Sequence, residues 1–482
     1  DAAAQAVDRL ADGALNVRTI AAPQPGNPAN QVAVIGGGWA GCAAAAVLAG
    51  HGMQVTVYEA APTLGGRARR VLRDGLPLDN GQHLLLGAYE ATRRILWATH
   101  SHATDPGLLR QRLAITPLSR SSPNAVSVEA ARMRPPFDLL VGILRARGLG
   151  RRERLATVGW FARLQRQRFR RAPEETVAQM LLSQSPRVVE QLWTPLCLAA
   201  LNTRPHDASA QLFANVLKRA FAGHRGDSDF LLPTVDLSEL LPDAVARILD
   251  ARNCAVHTRT PVHIRGVDGA GVHLRSKEER RWRKPAAVVA VGPHQLQTLF
   301  DDSAIQDPAI AGLLEQTSTW RYEPIATVYL GFRERLALPA RMTRLDDAPG
   351  QWLFDRRDIL MRAPGASSGL KLRSMVAVVI SASDDQAGME GQRLVATVQE
   401  QLRNLRPEWP RCVWSQVITE RRATYACLAG MQRPAWGRLT KGLYLAGDYT
   451  DPDLPATLEA AVRSGEAAAR ALLADRKIAR TR

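Results

Sequence analysis

Apolar positions fall into short strand-like runs near the start, middle and end of the chain, with helical stripes between them. Gln31 to Ile35 (Q-V-A-V-I) reads as a strand, glycines follow, and Trp39 to Ala49 reads as a helix of small residues. Gln54 to Glu59 carries the V-T-V alternation of a second strand, completing a β-α-β unit of about thirty residues. Residues from about 100 to 225 read as mostly helical. Ala255 to Leu274 holds short β-branched runs broken by Gly266, Gly269 and Gly271, the pattern of a hairpin. Pro285 to Gly292, Ile325 to Phe332, Met375 to Ser381 and Leu443 to Ala446 read as further strands, and Leu458 to Ala474 as a final helix.

Strands for one sheet are thus spread over the whole chain. The expected fold is α/β: a doubly wound, Rossmann-like dinucleotide-binding domain interrupted by a mostly helical α+β substrate domain. The first takes residues 31–95, 225–300 and 415–475; the second takes 96–224 and 301–414. Residues 1–30 read as an extension, with an Ala-rich short helix from Asp1 to Leu15 and a proline-rich linker from Ala21 to Asn30. At 482 residues, the chain has material for about two to four domains.

The net charge of +17 points towards anionic partners. Nothing in the sequence resembles a nucleic-acid motif, so no nucleic acid is expected and an anionic membrane surface is the better partner. Arg145 to Arg171 holds ten arginines and a single acid, Glu153, with Leu155, Trp160, Phe161 and Phe169 interspersed, as in an interfacial helix. The longest apolar runs, Ala40 to Gly50 and Met375 to Ala382, fall short of the roughly 18–20 residues that cross a bilayer. Five scattered cysteines form no C-x-x-C, which argues against a disulfide framework or a zinc site. The expectation is a cytoplasmic protein, peripheral at the inner face of the cytoplasmic membrane, with no metal.

The strongest chemical signal is V-A-V-I-G-G-G-W-A-G, residues 32–41, which supplies Gly36, Gly38 and Gly41 as G-x-G-x-x-G between a strand and a helix. The three glycines permit a tight turn, close backbone approach to a pyrophosphate and close helix–strand packing. Glu59, at the end of the second strand, is placed to accept from ribose hydroxyls and would repel a 2′-phosphate.

After Glu59, the run A-A-P-T-L-G-G-R ends in Gly65, Gly66 and Arg67, and G-L-Y-L-A-G-D-Y covers residues 442–449. The pair resembles the two signatures of FAD-dependent amine oxidases and desaturases. That resemblance implies FAD, with Gly66 and Arg67 at its phosphates and Gly447 and Asp448 at its ribityl chain. Thr457 would open a helix facing the flavin, and Val262 would touch the adenine.

Three further segments narrow the resemblance: L-D-N-G-Q-H-L-L-L-G-A-Y (78–89), W-T-P-L-C-L-A-A-L-N-T (193–203) and E-R-R-A-T-Y-A (420–426). Together they are similar to the squalene-associated, FAD-dependent hydroxysqualene dehydroxylases, over residues 32 to about 475. The implied reaction is reductive dehydroxylation of hydroxysqualene to squalene in hopanoid biosynthesis. The implied partners are a long-chain isoprenoid and the upstream isoprenoid synthases. Gln82 and His83 are expected beside the flavin, with His83 as acid to the leaving oxygen; Asn202 and Thr203 are expected to orient the hydroxyl. Two rivals remain: a carotenoid-type desaturase, and a non-catalytic flavin-bearing partner of isoprenoid synthases.

Overall fold

A computed structural model describes residues 28–100, 106–119, 125–382 and 391–481. The Ala-rich segment and most of the proline-rich linker lie outside the described residues. The first sheet begins with β1 (Gln31–Ile35), β2 (Gln54–Tyr58), β3 (Ala255–His257) and β4 (Ala287–Val289), all parallel. The chain then builds a second sheet from β5 (Tyr322–Phe332), β6 (Met342–Arg344), β7 (Trp352–Asp355), β8 (Ser374–Ser381) and β9 (Trp414–Tyr425). It returns to the first with β10 (Gly437–Thr440) and β11 (Leu443–Leu445). The first sheet runs β3-β2-β1-β4-β11-β10, with β10 alone antiparallel. The second is antiparallel throughout, in the order β6-β7-β8-β5-β9.

Alternate residues of β1 feed two separate cores. Val32 and Val34 pack with the first helix, while Ala33 and Ile35 face the larger core on the other side. A parallel strand buried on both faces must be apolar throughout, which is why Q-V-A-V-I carries no full polar alternation.

Six helices position the site: α1 (Trp39–Gly50), α2 (Glu90–Thr99), α3 (Arg151–Arg166), α4 (Thr194–Leu201), α5 (Ala210–Phe221) and α6 (Leu458–Thr481). Every residue of α1 is buried. Its small side chains let α6 lie against it so closely that a Cβ on Gly465 would strike the Ala40 carbonyl oxygen. Glu459 of α6 accepts from the backbone N–H groups of Ala91 and Thr92 at 3.0 and 2.8 Å, which caps α2.

Two expectations need correction. The boundary expected at 415 falls inside a strand of the second sheet: β9 pairs along β5 from Trp414–Gly331 to Tyr425–Tyr322. Its charged run, E-R-R, hides a strand, because β9 edges the sheet and its polar side chains face outward on one side. The second concerns the arginine-rich segment. Trp160, Phe161 and Phe169 are buried in the core, so they cannot face a lipid interface. Trp160 stacks at a tilt on Trp193, 4.8 Å between centroids, and its indole N–H donates to the Met180 carbonyl at 3.2 Å.

Candidate active site

The turn after β1 is dictated by its glycines. Gly36 has φ +98°, and a Cβ there would lie 2.6 Å from the Ala290 carbonyl oxygen. A Cβ on Gly41 would collide with the Gly36 carbonyl oxygen. Gly38 differs from both. Its backbone is extended (φ −69°, ψ 180°), and a Cβ there would meet nothing nearer than the Gly66 Cα at 4.0 Å. Gly36 and Gly41 are therefore needed to build the turn, while Gly38 keeps a cleft open in front of it.

Glu59 closes one end of that cleft. Its carboxylate accepts from the N–H groups of Gly37 and Ala61 at 2.6 and 2.7 Å, which fixes it at the end of β2 with lone pairs to spare. Val262 lines the cleft beside Thr260, whose N–H donates to the Glu59 carbonyl at 2.9 Å. Gly65 donates its N–H to the Gly37 carbonyl at 2.8 Å, laying the G-G-R segment directly against the glycine turn. The Arg67 guanidinium donates from Nη2 to Asp448 Oδ1 at 2.7 Å and from Nη1 to the Ala423 carbonyl at 3.1 Å. Gly447 adopts φ +153° and anchors its N–H on Ser464 Oγ at 2.9 Å. Thr457 accepts the Ala460 N–H at 3.1 Å, so the first turn of α6 opens at the cleft.

The cleft continues without a break into an apolar chamber; the two form one cavity of about 1080 Å³. On α5 the residues Phe213, Val216, Leu217, Ala220 and Phe221 make an i, i+3, i+4 stripe that lines the chamber. Leu196 and Ala200 of α4, and Met342, Trp352 and Phe354 of the second sheet, complete the wall.

Gln82 and His83 stand on the wall of this cavity. The Gln82 amide donates from Nε2 to the Tyr329 hydroxyl at 2.6 Å. His83 Nδ1 lies 3.1 Å from the Gly81 carbonyl oxygen, an acceptor, so Nδ1 carries the proton of the neutral ring and Nε2 a lone pair. Burial lowers the His83 imidazole to about 4, and the charge of Arg67 adds to that against the opposing Gly81 bond. The ring is therefore held uncharged with Nε2 as an acceptor, a state that disfavours the acid role expected for His83.

Asn202 and Thr203 are both engaged by the protein itself. Asn202 ends α4 with φ +48°; its amide donates to the Glu323 carbonyl at 3.2 Å and to Thr424 Oγ1 at 3.1 Å, while Oδ1 accepts the Ala382 N–H at 2.7 Å. Although it lines the cavity, its amide is already committed to β5, β9 and the end of β8. Thr203 is fully buried, donating to the Leu201 carbonyl at 3.0 Å and accepting the Cys427 N–H at 2.9 Å. Both residues hold the helical region to the second sheet.

The chain that builds this cleft and chamber has a match among known families. The model for flavin containing amine oxidoreductases covers residues 39–473. The chain belongs to that family.

Two relatives of this flavin-dependent oxidoreductase span nearly its whole length. Hydroxysqualene dehydroxylase of Rhodopseudomonas palustris is 27% identical, over 92% of this chain and 98% of that protein. Hydroxysqualene dehydroxylase of Zymomonas mobilis is 23% identical, over 90% and 97%. An oxidoreductase from Methanosarcina mazei has the same fold, with a TM-score of 0.69 at 14% identity over 92% of this chain and 100% of that one.

Among the residues of this oxidoreductase that the sequence reading passed over, Tyr329 and Glu420 stand out. Tyr329 sits in the middle of an ordinary-looking strand, and nothing in its neighbours separates it from core. Glu420 opens the quoted E-R-R-A-T-Y-A run and faces the cavity from β9. Of the cavity carboxylates, Glu59 is engaged by two backbone N–H groups and Asp448 by Arg67; Glu420 accepts from Asn80 Nδ2 at 3.4 Å.

Proposed function

We propose that this oxidoreductase binds FAD and reductively dehydroxylates hydroxysqualene to squalene, as the names of its near-full-length relatives suggest. One observation carries the reading: a glycine-walled dinucleotide cleft and a chamber walled by apolar side chains of α4, α5 and the second sheet form a single cavity. A water-insoluble isoprenoid fits the chamber, and the cleft brings a flavin to its end.

FAD suits the cleft because the open space in front of Gly38 admits a pyrophosphate, Glu59 keeps lone pairs for ribose hydroxyls, and Arg67 and Asp448 hold polar atoms along the wall. Bound in its reduced form, FAD supplies a hydride. The carbon that receives it loses hydroxide, so the reaction consumes one hydride and one proton and releases water. The chain's part is to exclude water with the α4 and α5 walls, orient the hydroxyl, and deliver that proton. We propose that Glu420, the cavity carboxylate least engaged by its neighbours, passes that proton on from solvent.

Pure protein incubated with hydroxysqualene and a flavin reductant should yield squalene. Oxidation of a polyene instead would identify a carotenoid-type desaturase, and turnover of neither would leave a flavin-bearing partner without catalysis. We also propose that the enzyme works at a membrane surface. Among the described residues no helix is long and apolar enough to cross a bilayer.

A further inference from the structure

We propose that Tyr329 is a positioning residue: it turns the Gln82 amide so that Oε1 faces the cavity and accepts the O–H of the substrate's hydroxyl. The inference rests on the reading of the substrate as a hydroxylated isoprenoid.

The argument is one of proton counting. Tyr329 is fully buried on β5, behind the cavity wall rather than in it. Its hydroxyl donates to the Asp79 carbonyl at 2.8 Å and accepts the Asp79 N–H at 3.2 Å. A phenol has one proton, and here the Asp79 carbonyl takes it. Burial pushes the Tyr329 phenol up, so the proton stays. What remains towards Gln82 is a lone pair, 2.6 Å from the amide. An amide turned the other way would set two acceptor oxygens against each other, so Nε2 must face Tyr329. Gln82 Oε1 is then left on the cavity side, where among the described residues it takes no protein donor.

The anchor beneath is rigid. The Asp79 carboxylate is buried, paired with Arg356 at 2.9 Å and accepting the Leu237 N–H at 2.8 Å. The chain Arg356–Asp79–Tyr329–Gln82 thus presents a fixed acceptor to the cavity. A hydroxyl that donates to it has its oxygen lone pairs turned elsewhere in the cavity, where a proton must arrive. An isoprenoid without the hydroxyl gains nothing from the same atom.

The test is a binding cycle on the flavin-loaded protein. Affinities for hydroxysqualene and for squalene are read from the perturbation of flavin absorbance in wild type, Tyr329→Phe, Gln82→Leu and the double variant. The preference for the hydroxylated ligand should fall about three- to tenfold in either single variant, the factor one hydrogen bond contributes. The double variant should lose no more than either single, and squalene affinity should stay level. A tyrosine that served only as packing would weaken both ligands alike, and its effect would add to that of Gln82→Leu. That result, an unchanged preference in Tyr329→Phe, or no preference in wild type, would overturn the inference. Intact preference without turnover would sink the proposed reaction and leave the inference standing.

Discussion

Arg67 Nη2 meets Asp448 Oδ1 at 2.7 Å across 381 residues of sequence. The contact ties the G-G-R segment, which packs on the first glycine turn, to the segment that opens the last helix, and so joins the two ends of the cleft.

Breaking that pair should cost stability as well as cofactor. The Asp448 side chain is 8% exposed and Arg67 29%, so the charge left behind by Arg67→Ala is mostly cut off from water. We expect a loss of about 1–3 kcal/mol in denaturant unfolding, less than a fully buried pair would show. Asp448→Ala on top of Arg67→Ala should add less than it costs alone, because the two share one interaction. Full additivity would mean that the contact is incidental.

The three glycines of the turn should separate by phenotype. Gly38→Val introduces no backbone strain and finds room, so a folded protein with an unchanged melt is expected, but one that has lost most of its flavin absorbance. Gly41→Val drives a side chain into the Gly36 carbonyl and should lower stability by about 1–3 kcal/mol or more. A Gly38→Val protein with full flavin content would move the pyrophosphate away from this turn.

The cleft was readable in the sequence because its demands are local. Positive φ at Gly36, contact between Gly41 and the turn, and an acid at the end of β2 each follow from a few neighbouring residues. Pairings between distant segments left no such trace. Tyr329 looks like any strand residue until the fold brings Gln82, 247 positions away, to its hydroxyl. Asn202 stood out only as part of the W-T-P-L-C-L-A-A-L-N-T segment, and the structure gives it three internal partners. The arginine-rich helix misled. Its aromatic residues fall on the face that α3 turns to the core, and a helical pattern alone does not say which neighbour that face meets.

His83 carries a pH prediction of definite sign. Its imidazole titrates near 4 in the folded protein against an ordinary 6.5, because burial opposes the charge. The unfolded chain therefore takes up this proton first on acidification. The stabilising contribution is complete above pH 6.5, declines as the pH falls below it, and is lost through about 4. His83→Leu should flatten that part of the stability profile by on the order of 1–3 kcal/mol. Turnover, followed on the same pH axis, should show no limb near 6.5 from His83. A limb there that His83→Gln abolishes would restore an acid role to the ring.

Membrane attachment should depend on exposed arginines and a few exposed apolar residues, not on the buried aromatics. Arg145, Arg147, Arg151 and Arg152 are exposed at and before the start of α3. Phe137, Leu144 and Leu155, close to them in sequence, are 57, 41 and 64% exposed. Each arginine near an anionic surface is worth about 1 kcal/mol, less with salt and distance. Changing the four to Gln should therefore weaken co-sedimentation with anionic vesicles strongly and with neutral vesicles hardly at all. The loss should shrink as salt rises and the screening length falls to about 8 Å at physiological ionic strength. Phe137→Ser with Leu155→Ser should weaken binding to both kinds of vesicle, because burial of apolar surface does not depend on lipid charge. Trp160→Ala is the control: it removes a core side chain and should cost about 3–5 kcal/mol of stability. In whatever fraction stays folded, vesicle binding should match wild type. Vesicle binding that survives both surface variants would put the membrane face on another part of the molecule.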